Sequence, residues 1–260
     1  MHYVRQGTGK PLLLIHGLGG SWRSWSPVID GLAREREVIA VDLPGHGATP
    51  PLQGETSMRA LADAMVAFLA VNELNGIDAV GSSLGARLVL ELARRGALGA
   101  VVSLDPGGFW RGWETAVFYR SLYTSIRLLR ALKPFIPIIA RHVTTRTLFL
   151  SQLSARPWAL SSQLVLEELK AYVMSPSFDA LLYDLRYGEA QRGAERGSLR
   201  HPLTIGWGRR DRVCFTNQAE RALTLFPDAR LHWFEHSGHF PHWDMPEQAI
   251  RVILDNTSQA

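Results

Sequence analysis

Short runs of apolar residues recur along the chain, and most of them end in a turn rich in glycine. The clearest runs are Pro11–Ile15, Val38–Val41, Asp78–Gly81, Ala100–Leu104, Leu203–Gly208 and Leu231–Phe234. Continuous apolar runs of this length are typical of parallel strands that are buried on both faces. Segments with helical spacing separate them, such as the one that carries Leu61, Met65, Phe68 and Leu69. The pattern predicts an α/β protein with a doubly wound, mostly parallel sheet, and ligands at the carboxyl edge of that sheet.

The middle of the chain has a different character. From about Phe109 to Arg200 we find no convincing buried strand, and prolines separate three predicted helices, Val117–Leu132, Ser161–Met174 and Phe178–Tyr187. We therefore expect residues 1–106 and 201–260 to form the α/β core. Residues 107–200 are predicted to form a helical insertion that covers it.

Composition excludes several classes of protein. Of the 260 residues 46% are hydrophobic and 20% are charged, which allows a large core. The net charge is only +4, and the sequence lacks a Lys/Arg block with interleaved aromatic residues, which is the pattern that would indicate nucleic-acid binding. Cys214 is the single cysteine, which excludes an intramolecular disulfide and a cysteine metal cluster. The N-terminus lacks the apolar core of a signal peptide, and Leu12–Ile15 is too short to span a bilayer, so we expect a cytoplasmic protein.

The predicted insertion has a skewed charge. No acidic residue occurs between Glu114 and Glu167, whereas seven basic ones do: Arg120, Arg127, Arg130, Lys133, Arg141, Arg146 and Arg156. This is either an ordinary solvated face or a surface for an anionic substrate or an acidic partner, such as a carrier protein.

The sequence Gly81-Ser82-Ser83-Leu84-Gly85 lies between an apolar strand and an apolar helix. A serine at the centre of such a sharp turn projects its hydroxyl outward, while the spaced glycines relieve crowding and the helix directs free N–H groups at the same point. The alternative is an ordinary turn, because glycine and serine are common in loops. We favour Ser83 as a nucleophile.

A serine nucleophile needs a histidine base, and that histidine needs a carboxylate to orient it. Asp211 and His239 each follow the end of a predicted strand, and the chain order Ser…Asp…His is the one expected with this turn. The alternatives are Asp105 for the acid, and His236 or His242 for the base. Two backbone donors should hold an oxyanion, namely the N–H of Leu84 and that of Leu18 in the first glycine-rich loop.

Together these residues resemble the α/β-hydrolase superfamily, and in particular its capped esterases and C–C bond hydrolases. The matching pieces are His16–Gly20, Asp42–Gly47, Gly81–Gly85, Gly208–Asp211 and Gly238–His239. The resemblance implies a helical lid between strands six and seven, and a serine hydrolase without cofactor or metal that works through an acyl-enzyme. It assigns Ser83 as nucleophile, Asp211 as acid and His239 as base. The short N-terminus suggests that the first of the usual eight strands is absent.

We expect a carboxylesterase acting on a small apolar acyl or aryl substrate, with Phe240, Trp110 and Trp158 as candidate contacts, although packing would explain these aromatic residues as well. A C–C bond hydrolase, a thioesterase or a carrier-protein esterase would use the same three residues. A protein of another class, a receptor that binds a small apolar ligand with little turnover, is also open. The sequence does not distinguish a monomer from a dimer.

Overall fold

The computed structural model describes residues 1–257 and builds them around one seven-stranded sheet. Its strands are β1 (Tyr3–Gln6), β2 (Pro11–Ile15), β3 (Glu37–Val41), β4 (Asp78–Ser82), β5 (Val101–Leu104), β6 (Leu203–Gly208) and β7 (Arg230–Phe234). Their order across the sheet is β1-β3-β2-β4-β5-β6-β7, and of these β1 alone runs antiparallel to its neighbour. The prediction of a mostly parallel α/β sheet is confirmed.

The strand order reverses at β2. After β2 the chain adds β3 on one side, then crosses to add β4 on the other side and continues outward to β7. Ile15 at the end of β2 aligns with Val41 of β3 and with Gly81 of β4. The loops that follow β2 and β4 therefore leave the sheet side by side, at the position where open α/β sheets bind their ligands.

Both faces of the sheet are covered. Along β2, Leu13 and Ile15 point into one apolar cluster, whereas Leu12 and Leu14 point into the other, and all four side chains are fully buried. Burial on both faces explains why this strand is a continuous apolar run rather than an alternating one.

Six helices accompany the strands of the core: α1 (Ser26–Leu32), α2 (Met58–Val71), α3 (Leu84–Arg94), α9 (Gln218–Leu225), α10 (Pro241–Asp244) and α11 (Pro246–Thr257). Ser57 caps α2, because its hydroxyl accepts a hydrogen bond from the Ala60 N–H. Among the described residues no helix is long and apolar enough to cross a membrane.

Five helices lie between β5 and β6: α4 (Trp113–Ala131), α5 (Ile136–Arg141), α6 (Val143–Leu150), α7 (Ser162–Met174) and α8 (Phe178–Tyr187). The sequence analysis missed α5 and α6, since it treated the prolines of this segment, which include Pro134 and Pro137, as separators between helices. Pro137 lies in the first turn of α5, where a missing N–H costs nothing. The domain limits and the role of these helices as a lid stay predictions.

Candidate active site

Ser83 occupies a strained turn between β4 and α3. Its φ is +56° and its ψ is −112°, a conformation that few residues other than glycine adopt. The turn is closed so tightly that only glycine fits on either side of it. A Cβ on Gly81 would overlap the carbonyl oxygen of Gly85, and one on Gly85 would overlap that of Ile15. These two contacts account for the glycine spacing in the sequence.

A chain of hydrogen bonds starts at the Ser83 hydroxyl. Ser83 Oγ lies 2.8 Å from His239 Nε2, and His239 Nδ1 lies 2.8 Å from Asp211 Oδ2. The other carboxylate oxygen, Asp211 Oδ1, accepts hydrogen bonds from the N–H groups of Val213 and Cys214. Because the carboxylate only accepts, the proton of the neutral imidazole belongs on Nδ1, and Nε2 is free to accept the proton of Ser83.

The loop that carries His239 is fixed from two directions. Asp244 Oδ2 accepts a hydrogen bond of 2.7 Å from the Gly238 N–H, and the His239 N–H donates to the Leu153 carbonyl at 2.8 Å. Asp244 also accepts hydrogen bonds from the Ser154 hydroxyl and the Ala155 N–H. The segment after α6 is thereby tied to the histidine loop through a single buried carboxylate.

The alternative bases lie elsewhere. His236 is exposed to solvent and has no contact with Ser83 in the described residues. His242 is fully buried, and its ring centroid lies 4.4 Å from that of Trp25. Burial lowers the pKa of His242 to about 3, so this ring is neutral in the fold.

Asp105 lies behind Asp211 rather than beside His239. Its Oδ1 accepts a hydrogen bond of 2.8 Å from the Gly208 N–H, and the residue is fully buried with a φ of +49°. Burial, together with the neighbouring Asp211 carboxylate, raises the pKa of Asp105 well above its usual range. A neutral Asp105 can donate a hydrogen bond to Asp211, which makes it a support for the acid that contacts histidine.

The glycine-rich loop after β2 lies against the Ser83 turn. His16 Nδ1 donates to the Gly17 carbonyl at 2.7 Å, while Nε2 accepts from the Leu43 N–H at 3.0 Å. Burial lowers the pKa of His16 to about 4, which keeps this arrangement neutral. Within residues 1–257 neither the Leu18 N–H nor the Leu84 N–H donates a hydrogen bond to another group. Leu84 is also the first residue of α3, where helices leave N–H groups unpaired.

An apolar cavity of about 350 Å³ leads to Ser83 and His239. Its walls come mostly from the helices between β5 and β6, and they include Leu122, Ile126, Leu129, Leu148, Leu169, Tyr172 and Phe178. Leu18, Val213 and Phe240 complete the inner end, and the role of Phe240 as a substrate contact stays a prediction. A larger groove of about 790 Å³ elsewhere is lined by paired charges around Arg87 and does not reach Ser83.

The two tryptophans proposed as substrate contacts are outside this cavity. Trp110 packs on Phe118, with ring centroids 4.1 Å apart, and Trp158 is 52% exposed. The sequence analysis relied on aromatic residues near the predicted entrance. The actual walls are mostly leucines, together with aromatic side chains such as Tyr172 and Phe178, on amphipathic helices. Helical spacing does not show which buried face meets a cavity rather than a core.

One cluster could be mistaken for a metal site. Asp211, Cys214 and His239 offer ligand atoms that all lie within 4.8 Å of one another. Asp211 and His239, however, already hydrogen-bond each other, and burial raises the pKa of the Cys214 thiol well above its usual range. A protonated thiol is a poor ligand, so the cluster fits a hydrogen-bonded relay better than a cation.

A model of the alpha/beta hydrolase family matches residues 12–252. The chain belongs to that family. It is 29% identical to an uncharacterised protein of Mycobacterium tuberculosis, over 98% of this chain and 78% of that protein. It is 26% identical to 2-hydroxy-6-oxo-2,4-heptadienoate hydrolase of Pseudomonas putida, over 96% of this chain and 89% of the other. Among solved structures, a thermophilic esterase from Thermogutta terrifontis has the same fold, with a TM-score of 0.75, 19% identity, and coverage of 98% and 91%.

Proposed function

We propose that this alpha/beta hydrolase is a serine esterase that acts through an acyl-enzyme. The observation that supports the proposal most strongly is the continuous hydrogen-bond chain from Ser83 Oγ through His239 to Asp211. A serine hydroxyl at neutral pH needs such a base, and the base needs an acceptor that fixes its tautomer.

In the proposed reaction His239 Nε2 takes the Ser83 proton while Oγ attacks the ester carbonyl. The N–H groups of Leu18 and Leu84 hold the oxyanion that forms, and the positive end of the α3 dipole assists them. His239 then gives the proton to the leaving alcohol. A water molecule repeats the sequence on the acyl-enzyme, which releases the acid and restores Ser83.

The cavity favours an apolar acyl or aryl group. Of the described residues that line it, none is Arg, Lys, Asp or Glu. A space of about 350 Å³ fits a small ligand, since ligand pockets range from roughly 300 to 1,000 Å³. The free energy of transfer of apolar groups from water supplies the affinity.

A C–C bond hydrolase is the second candidate, favoured by the similarity to 2-hydroxy-6-oxo-2,4-heptadienoate hydrolase of P. putida. The substrate that this name describes carries a carboxylate, which in an apolar cavity needs a cation. Because neither Arg nor Lys is among the described residues that line the cavity, an uncharged ester fits it better than a substrate with a carboxylate. A thioesterase would fit the same cavity and mechanism.

The test is hydrolysis of p-nitrophenyl esters of increasing acyl length by the wild-type protein and by Ser83→Ala. We expect Ser83→Ala to lose several orders of magnitude in kcat, of order 10⁶ in the precedent of another serine hydrolase. A fluorophosphonate probe should label the wild-type protein and not this variant. Ser82→Ala is the matched control, because the Ser82 hydroxyl is buried one residue away and has no hydrogen-bond partner among the described residues. Equal rates for wild type and Ser83→Ala would refute the assignment, and ligand-induced thermal stabilisation without turnover of any ester would favour a receptor.

A further inference from the structure

The helices between β5 and β6 expose an unusual number of large apolar side chains. The exposed fractions are 72% for Leu148, 53% for Phe135, 53% for Ile138, 51% for Leu128 and 51% for Val143. These residues belong to α4, α5, α6 and the 3₁₀ turn Lys133–Phe135. We call the exposed side chains of residues 117–148 the lid surface. Contiguous exposed apolar side chains on one part of a protein mark a binding surface.

The same surface is basic. Arg120, Arg127, Lys133 and Arg141 are all exposed, and within the described residues none of them forms an ion pair. No acidic residue lies between Glu114 and Glu167 to balance them. Exposed cations and exposed apolar side chains occur on the same helices, with Arg127 and Leu128 on α4 and Ile138 and Arg141 on α5.

The cavity opens through this surface. Leu128 and Leu148 line the cavity and are also more than half exposed, which places them at its mouth. The inner end of the same cavity holds Ser83 and His239. A molecule that enters between Leu128 and Leu148 therefore passes from the lid surface to the candidate nucleophile through apolar walls.

We infer that the lid surface docks on an anionic phospholipid bilayer, so that the cavity mouth faces the lipid. Apolar side chains that enter the interface, surrounded by arginine and lysine at the level of the headgroups, are the features by which proteins lie on such membranes. The long stems of Arg127 and Lys133 allow their charges to reach phosphate while nearby apolar groups insert. A second copy of the chain is a poor partner, because a two-fold interface would face these cations with themselves.

The inference concerns binding alone, and it holds whichever bond the site cleaves. Co-sedimentation with vesicles measures it directly, with phosphatidylcholine alone compared with a mixture in which roughly one lipid in three is phosphatidylglycerol. We expect the 260-residue protein to bind the anionic vesicles, and to bind them more weakly as salt is raised. Equal partitioning to both kinds of vesicle would overturn the inference.

Charge variants locate the surface. The double variant Arg127→Gln, Lys133→Gln should bind anionic vesicles on the order of 30-fold more weakly, about fivefold for each cation removed. The matched control is the double variant Arg34→Gln, Arg251→Gln, which removes two exposed cations that lie outside residues 117–148. The control should bind no more than a few times more weakly than wild type. Equal losses in the two double variants would show attraction by net charge alone and would rule out a specific lid surface.

Apolar variants test insertion. Ile138→Ser should weaken binding several-fold, because it removes an exposed side chain that enters the interface. Val71→Ser is the control, since Val71 is 83% exposed on α2. Circular dichroism and thermal unfolding establish that each variant is folded, without use of enzymatic activity. Binding of an acidic carrier protein that depends on Arg127 and Lys133, with none to anionic vesicles, would replace the bilayer by a protein partner.

Discussion

Asp211→Asn is the substitution that tests the candidate site most directly. In the wild-type protein Asp211 Oδ1 accepts from the N–H groups of Val213 (2.7 Å) and Cys214 (3.0 Å), while Oδ2 accepts from His239 Nδ1. An asparagine has the same shape but one donor group. Its oxygen must stay on the N–H groups of Val213 and Cys214, since an NH₂ at that place would face two other donors and find no acceptor.

The amide NH₂ introduced at position 211 would therefore point at His239 Nδ1, which would have to accept. The imidazole proton then moves to Nε2, and Nε2 donates to Ser83 Oγ instead of accepting from it. We expect kcat/KM to fall about 10⁴-fold, the size known when a wrong tautomer is imposed in another serine hydrolase. That factor corresponds to about 5 kcal/mol of transition-state stabilisation. Thermal stability should change little, because the hydrogen bonds to Val213, Cys214 and His239 each keep a partner.

The assay is hydrolysis of the best p-nitrophenyl ester, with Asp255→Asn as a control at an exposed position near the C-terminus. Activity of Asp211→Asn within tenfold of wild type would refute the predicted change of tautomer. In that case the double variant with Asp105→Asn would decide whether Asp105 serves as the acid.

Three further predictions follow from buried groups around the site. Asp105→Asn should keep kcat/KM within about tenfold of the wild-type value, because the amide can accept from the Gly208 N–H and donate to Asp211. Asp105→Leu can do neither, so it should lower kcat/KM further and alter the dependence of kcat/KM on pH. Gly81→Ala should reduce the free energy of unfolding by on the order of 1–3 kcal/mol and also lower kcat/KM, since the added Cβ meets the Gly85 carbonyl; an unchanged melting temperature would contradict this. Burial raises the pKa of Glu168 in the folded protein to about 7, although the hydrogen bond from the Ser24 hydroxyl acts in the opposite direction. The contribution of this carboxyl to the free energy of unfolding is therefore fully present below about pH 4.5 and is lost as the pH rises from about 4.5 through 7. Measured by urea unfolding, the free energy of unfolding should fall between pH 5 and pH 8 by up to about 3 kcal/mol more in the wild-type protein than in Glu168→Gln. An identical pH dependence for the two proteins would contradict this prediction.

The positions of Ser83, Asp211 and His239 could be anticipated from the sequence because each follows a buried strand. Parallel strands bring such positions to one edge of the sheet. The chain order Ser…Asp…His then indicates which of the residues at that edge belong together. The mostly parallel sheet could be anticipated as well, since continuous apolar runs such as Pro11–Ile15 indicate strands that are covered on both faces.

Other features depend on tertiary contacts that leave no periodic signal. Trp110 and Trp158 were expected at the substrate, but one packs on Phe118 and the other faces solvent. Glu168 is 1% exposed, although a glutamate in the middle of a helix is ordinarily solvated. Its burial results from the packing of α7 against the 3₁₀ turn Trp22–Trp25, which is distant in sequence.

The buried Asp244 sets a boundary on how this fold can be recombined. Exchange of the helices between β5 and β6 is one way to alter the walls of the cavity that leads to Ser83. Here Ser154 and Ala155 donate hydrogen bonds to Asp244, and the His239 N–H donates to the Leu153 carbonyl, so residues 153–155 are part of the support of His239. A graft that replaces α4 to α6 but ends before Leu153 should keep His239 in place. One that continues through Ala155 would remove the Ser154 hydroxyl and would have to present the carbonyl of residue 153 and the N–H of residue 155 at the same positions, so residues 153–155 belong with His239 in any chimera.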